Sequence, residues 1–318
     1  MNQTYFRNFT LIGFSSNVEK QPFVFTAFFL VYLVGVVSNL LMIILISTDS
    51  HLHTPMYILL CNLAFADICT STVTLIKLMD ILATGNNTIS FLQCFTQMFF
   101  FILLSDAEIV LLSVMSYDRY VAICKPLHYY IIMNRKKCSL LLVAVWVLGF
   151  LNSLPLTCYM SALNVCASNE IPNFYCDFKA MTKIFCTGLG FSIMTYTETL
   201  LGGLFPFLLS LMSYYKIITC ILRIKSTNGR RKAFSTCVSH LTVLAIFYGT
   251  LFCIYAKPTR EHAEVLDQLF SIGYTVVTPI LNPLIYSLRN KEVKSAMKKV
   301  FRDKQINFRV YNEIEKKY

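Results

Sequence analysis

"MSYDRYVAICKPLHY" occupies residues 115–129. It closes a long apolar run with a carboxylate and a guanidinium side by side, Asp118 and Arg119, and a basic tract follows. The meaning of that pair depends on the solvent around it. Of the 318 residues, 56% are hydrophobic and only 14% are charged. A soluble domain carries roughly 25% charged residues, so this chain lacks the polar groups to cover a water-facing surface.

Apolar stretches of about 20 residues match a hydrocarbon layer about 30 Å thick, because a helix rises about 1.5 Å per residue. Seven such stretches run along the chain: Phe23–Ser47, Met56–Leu82, Phe91–Cys124, Leu140–Met160, Phe191–Leu222, Thr236–Ala256 and Leu266–Leu288. Backbone groups in lipid must be hydrogen-bonded internally, which selects helices. The connections are short except between the fourth and fifth stretches, and no internal repeat or second domain is visible. The sequence therefore predicts an all-α membrane protein. Residues 1–22 form an outer tail, 23–288 a seven-helix bundle, and 289–318 an inner tail.

Lys and Arg give the orientation. Eleven lie in or beside the loops after helices three and five, and ten follow helix seven, so 21 of the 28 fall on one side. That side is expected to be cytoplasmic and the N-terminus outside. The formal charge of +11 then reflects sidedness and anionic inner-leaflet lipid, with no need for nucleic acid. The tail "MNQTYFRNFTLIGF" lacks the apolar core of a cleavable signal peptide. Sequons begin at Asn2, Asn8 and Asn86, all on the outer side, with Asn8 the favoured acceptor. Of 12 cysteines, Cys94, Cys166, Cys176 and Cys186 lie in the oxidising compartment. A bridge from Cys94 to the long outer loop would fold that loop over the bundle mouth. Four cysteines allow three pairings, and spacing does not choose among them.

Five stretches carry a resemblance. They are "HTPMYILLCNLAFADIC" (53–69), "MSYDRYVAICKPLHY" (115–129), "SYYKIITCILRI" (213–224), "RRKAFSTCVSHL" (230–241) and "PILNPLIYSLRNKEV" (279–293). In this order, at these helix ends, the chain resembles a vertebrate odorant receptor of the rhodopsin-like G-protein-coupled family over nearly its whole length. Ser116 replaces the usual Ala, and Ser38 replaces the usual Gly before Asn39. The resemblance implies a Cys94–Cys176 bridge, which leaves Cys166 with Cys186.

The opening pair now has a reading. Asp118 holds Arg119 as a local ion pair in the resting bundle. Release would offer a cation and an apolar cleft to a partner helix from inside. The resemblance makes that partner the α subunit of a heterotrimeric G protein, docked on Asp118, Arg119, Tyr120, the 125–137 loop and the tract Arg230, Arg231, Lys232. A positive-inside anchor with its counter-ion is the plainer alternative.

Two carboxylates fall near the membrane midplane. Asp67 lies about 18 Å above Pro55, and Glu108 about 16 Å above Arg119. They cannot both stay ionised and unpaired. They would share a proton, or hold a cation with oxygens from Ser71, Asn39 or Asn282; in related receptors such a site holds sodium. No other cofactor is expected. Pro279 and Pro283 in "PILNPLIY" each remove a backbone donor, and Asn282 and Tyr286 are expected to satisfy the freed groups. The resemblance makes Asn282, Pro283 and Tyr286 an activation hinge. Beyond them, residues about 291–301 place Val293, Ala296, Met297, Val300 and Phe301 on one face and lysines on the other, as in a short helix lying on the membrane surface.

Ligands in helix bundles sit between helices, among apolar side chains with a few polar groups. The candidates are Phe101, Leu104, Ser105 and Asp106 on helix three, Glu198, Thr199 and Gly202 on helix five, Tyr248, Leu251, Phe252 and Tyr255 on helix six, and Thr275 on helix seven. Tyr248 falls where the family has its activation-sensing aromatic. Asp106 and Glu198 reach similar heights, about 20 Å and about 24 Å above the inner ends of their helices, and such a pair favours a cationic ligand.

The resemblance thus implies a sensory receptor in the plasma membrane. A small odorant would bias a two-state bundle toward docking an olfactory stimulatory G protein, raising cyclic AMP. Nucleotide exchange would occur on that partner, so the chain would not be an enzyme. The same architecture expressed outside the nose would serve another small ligand. A transporter would show paired broken helices, and none is evident. An intramembrane hydrolase would need a placed base, and the histidines (His51, His53, His128, His240, His262) are expected at loops and helix ends.

Overall fold

The structure is a computed structural model and describes residues 8–13, 21–255, 263–289 and 292–299. The helices are α1 (Gln21–Thr48), α2 (Pro55–Thr84), α3 (Phe91–Cys124), α4 (Arg135–Ser161), α5 (Leu189–Arg223), α6 (Thr227–Tyr255) and α7. The last is built from Ala263–Ile272, a wide π turn at Gly273–Val277, and Thr278–Arg289. A similar π segment, Thr199–Leu204, interrupts α5.

Local chemistry sets the ends. Pro55 starts α2 where its missing N–H costs nothing, and Gly85 ends it in the left-handed region at φ 74°. Ser90 and Gln93 form a reciprocal capping box on α3. The side chain of Asn134 caps α4. The sequence placed α4 from Leu140 and α6 from Thr236. The helices begin at Arg135 and Thr227, because their charged first turns project beyond the apolar layer that hydropathy detects. A bend of 43° separates Thr227–Ser235 from Cys237–Cys253.

Central placement falls to α3. In its apolar window 67% of the residues are buried within the protein, against 28% for α1 and α4. It packs on α2, α4 and α5, so its polar residues meet neighbours instead of lipid. At the inner end, residues 292–299 are helical. Val293 and Ala296 are buried, Met297 packs against the core, and Lys294, Lys298 and Lys299 stay exposed. The hydroxyl of Tyr57 donates to Glu292 at 2.6 Å and ties this helix to α2. Val300 and Phe301 lie outside the described residues.

A second, smaller apolar core caps the outer end. Three short strands cross it: β1 (Asn8–Leu11), β2 (Thr88–Ser90) and β3 (Glu170–Ile171). Their order is β2-β1-β3, with β1 antiparallel to β2 and parallel to β3. The tail thus supplies the central strand. Disulfides join Cys94 to Cys176 and Cys166 to Cys186.

Candidate functional site

Near the C-terminal end of α3, Asp118 Oδ2 accepts from Arg119 Nη2 at 2.6 Å and from Nε at 3.1 Å. The other carboxylate oxygen accepts from the Tyr129 hydroxyl at 2.8 Å. Tyr129 stands on the one-turn helix Tyr129–Ile132 in the next loop. Burial, and then the Asp118 charge, push its phenol upward, which keeps it a donor. The Asp118 side chain is fully enclosed, so its charge is met by two partners at once. Tyr120 lies under Lys216, 5.5 Å from ring centre to Nζ. Arg230, Arg231 and Lys232 are exposed on the first turns of α6.

Behind Arg119 sits a polar cluster. Tyr214 on α5 bonds His240 Nδ1 on α6 at 2.7 Å. Tyr214, Cys237, His240 and Tyr286 all lie within electrostatic reach of the guanidinium. The Tyr286 hydroxyl is buried without a partner among the described residues. His240 was expected at a helix end. It is buried well inside α6, because that helix begins nine residues earlier than the apolar run.

At mid-depth, Asn282 Nδ2 donates to both oxygens of Asp67, at 3.1 and 3.0 Å. Glu108 accepts from Thr70 at 2.7 Å and from Tyr274 at 3.0 Å. The two carboxylates feel one another's charge, so α2, α3 and α7 meet in one polar knot. The prolines of α7 are handled differently from the expectation. Pro283 leaves the carbonyl of residue 279 without its helical donor, and Asn39 Nδ2 on α1 fills that place at 2.8 Å. Asn282 is spent on Asp67, and the Tyr286 hydroxyl has no partner among the described residues. The wide turn Gly273–Val277 lies just before Pro279, and within it the Tyr274 side chain reaches Glu108.

In the outer half, Phe101 packs 5.0 Å from Tyr175 of the outer loop and 5.9 Å from Tyr274. Tyr274 continues to Phe247 at 5.5 Å, Phe247 to Tyr248 at 5.6 Å, and Tyr248 to Phe207 at 4.7 Å. Leu104 and Thr275 are buried, and Leu251 is half-buried against the same core. The Ser105 hydroxyl is buried without a partner among the described residues. Asp106 turns toward α4 and α5: Asn152 Nδ2 donates to it at 2.9 Å. Gly202 lets α5 close on this pair, since a Cβ there would stand 2.7 Å from Asn152 Nδ2 and 2.9 Å from Asp106 Oδ1. Glu198 is half-buried and acts electrostatically on Asp106. Neither carboxylate belongs to an ion pair among the described residues. Phe252 is 72% exposed and Thr199 is exposed, so both face outward, away from the cluster. The side chain of Tyr255 lies outside the described residues, as does Asn2; Asn8 and Asn86 are exposed.

The central α3, the loop pinned to it by Cys94–Cys176 and the Asp118–Arg119 pair invite comparison with known receptors. The olfactory receptor family pattern matches residues 28–304. The chain belongs to the olfactory receptor family. This olfactory receptor is 45% identical over 306 residues to olfactory receptor 7A10 of Homo sapiens, covering 96% of this chain and 99% of that protein. It is 44% identical to olfactory receptor 1G1 of Gorilla gorilla gorilla, covering 96% and 98%. Its fold is similar to squid rhodopsin, with a TM-score of 0.72 at 16% identity over 91% of this chain and 87% of that one. The receptor is a multi-pass membrane protein of the G-protein-coupled class and not an enzyme.

Sequence reasoning missed three contributors to the receptor's sites. Tyr129 stands in the quoted "KPLHY", but its partner lies 11 residues back across a turn. Asn152 and Tyr274 read as ordinary helix residues, and only the packing of α3 against α4 and α7 reveals their carboxylate partners.

Proposed function

We propose that this receptor binds a small odorant between the outer halves of α3, α5, α6 and α7, with its N-terminus outside the plasma membrane, and activates a stimulatory heterotrimeric G protein of the olfactory type, raising cyclic AMP. The observation that carries the reading is the latch at the inner end, where Arg119 and Tyr129 share the enclosed Asp118 carboxylate. Beside it stands a buried polar atom without a partner among the described residues, the Tyr286 hydroxyl. An unmet buried polar group costs about 1–3 kcal/mol. The resting packing therefore leaves unused polar capacity next to a releasable cation. A rearrangement that frees Arg119 can use that capacity and open the inner face to a partner helix. Arg230, Arg231 and Lys232 supply the surrounding positive surface.

The mid-membrane carboxylates report on the same equilibrium. Burying two uncompensated charges there is costly, so Asp67 and Glu108 hold one positive charge between them, a proton or a sodium ion. The two carboxylates offer oxygens, the donor that a hard cation takes. Sodium, when bound, would screen the two carboxylates and favour the resting packing.

On the ligand side, Asp106 and Glu198 form an acidic pair without an ion-pair partner among the described residues, which suits an amine. A cyclic AMP reporter screen of transfected cells against amines, alcohols, aldehydes and acids tests the reading. Specific responders are expected, and agonists that act without cyclic AMP through another G-protein class would overturn the coupling assignment.

A further inference from the structure

The outer tail does more than lead into α1. Phe9 and Leu11 are almost wholly buried, with the Phe9 ring 6.1 Å from both Phe91 and Phe185. A four-residue strand has few hydrogen bonds of its own, yet this one holds both neighbours: Leu11 N donates to Asn87 O at 2.9 Å, and Thr10 N to Asn169 O at 2.9 Å. Because the order is β2-β1-β3, the tail strand pairs with both the loop after α2 and the loop after α4. Beyond the strand, Ile12 N donates to Ile171 O at 2.8 Å, and Ile12 O accepts from Gln268 Nε2 on α7 at 2.9 Å. Gly13 then lies directly on Phe174; a Cβ there would stand 2.9 Å from Phe174 Cβ.

What lies under this segment matters. Phe174 packs 5.0 Å from Tyr175, and Tyr175 is the loop residue that reaches Phe101 on α3. From Phe101 the ring contacts lead to Tyr274, which bonds Glu108. The loop is fixed from two other directions: by Cys176, whose N–H donates to Gln97 at 2.9 Å, and by Asn173, whose amide reaches Ser271 on α7 at 3.5 Å. Among the described residues, Gly13 meets Phe174 from the side of the tail.

We propose that residues 8–13 are positioning residues of an extracellular roof: they hold Phe174 and Tyr175 down on Phe101 and close the bundle mouth to water in the resting receptor. The tail itself touches no ligand. It sets how readily the roof lifts, and through Tyr175 how the aromatic chain below is seated. The effect on signalling rests on the odorant-receptor reading above; the closure does not.

The test is ligand-free. Ser105 lies one helical turn below Phe101, and its hydroxyl is buried, so Ser105→Cys places a thiol under the roof. Intact cells are treated with a membrane-impermeant cationic methanethiosulfonate, and labelling above the parent receptor is followed over time. Gly13→Ala inserts the clashing Cβ, Gln268→Glu removes the donor to Ile12 at similar size, and Phe9→Ser empties the apolar socket. With the tail intact, Ser105→Cys should label slowly; each tail change should speed labelling by about tenfold, as expected when a local opening becomes easier. Fast labelling of Ser105→Cys with the tail intact, or equal rates in all variants at matched surface biotinylation, overturns the proposal. A second measurement needs no variant: in purified receptor the amides of Thr10, Leu11 and Ile12 should be protected from hydrogen exchange, and exchange at the rate of free peptide would contradict it. A receptor that fails either test but still raises cyclic AMP leaves the functional reading standing.

Discussion

Tyr274 on α7 donates its hydroxyl to Glu108 on α3 at 3.0 Å, and the same Tyr274 ring packs on Phe101 and Phe247. One side chain thus joins the aromatic region where a ligand would sit to the carboxylates at mid-membrane. Tyr274→Phe keeps the ring and removes the bond. Leaving a charged acceptor short of a donor costs about 1–3 kcal/mol, so the resting packing should lose several-fold in population. The expected outcome is raised agonist-independent cyclic AMP per surface receptor. Unchanged basal signal and unchanged agonist potency would remove Tyr274 from the coupling route.

Glu108→Gln and Asp67→Asn each delete one of the two interacting carboxylates. Either should abolish any difference in basal cyclic AMP between sodium-containing and sodium-free medium in permeabilised membranes. A sodium response retained in both variants would mean that the ion acts elsewhere.

Tyr129→Phe probes the inner latch. A hydrogen bond to a charged group contributes about 1.5–3 kcal/mol, and Asp118 would keep only Arg119. Basal cyclic AMP should rise by about tenfold or more at equal surface amount. A variant with parent-like basal signal would show that the Tyr129 contact does not bias the equilibrium.

Much of this arrangement was legible in the sequence, for reasons that show in particular residues. Each membrane helix declares itself by a long apolar run, and Arg119 and Asp118 stand out because charges at such a boundary need partners. The first turns of α6 were invisible because Arg230–Lys232 interrupt hydropathy without interrupting the helix. The strand Asn8–Leu11 was invisible because its partners, Ser90 and Ile171, are far away in sequence and four residues carry no usable period. The two π turns left no local signature. Asp106 was visible as a misplaced charge, but its partner Asn152 emerges only when α3 and α4 are packed together.

Asp106→Asn and Glu198→Gln test the ligand class. If the pair recognises a cation, each change should weaken amine agonists by at least about thirtyfold, the lower range for losing a partner of a buried charge, and spare neutral agonists. Dose–response curves on amines, alcohols and acids decide it. Amine potency untouched by both changes would reassign the pair to packing between α3, α4 and α5.

The central claim is that Arg119, held by Asp118 in the resting bundle, is the group released to the G protein. Losing one partner of a buried hydrogen-bonded charge at an interface costs about 2–5 kcal/mol. The direct measurement is agonist-driven cyclic AMP from Arg119→Ala beside the parent, normalised to surface receptor. The account predicts near-parent surface amounts with the response reduced by at least about thirtyfold, by the same energetic range. A normal response at normal potency from equal surface receptor would contradict it.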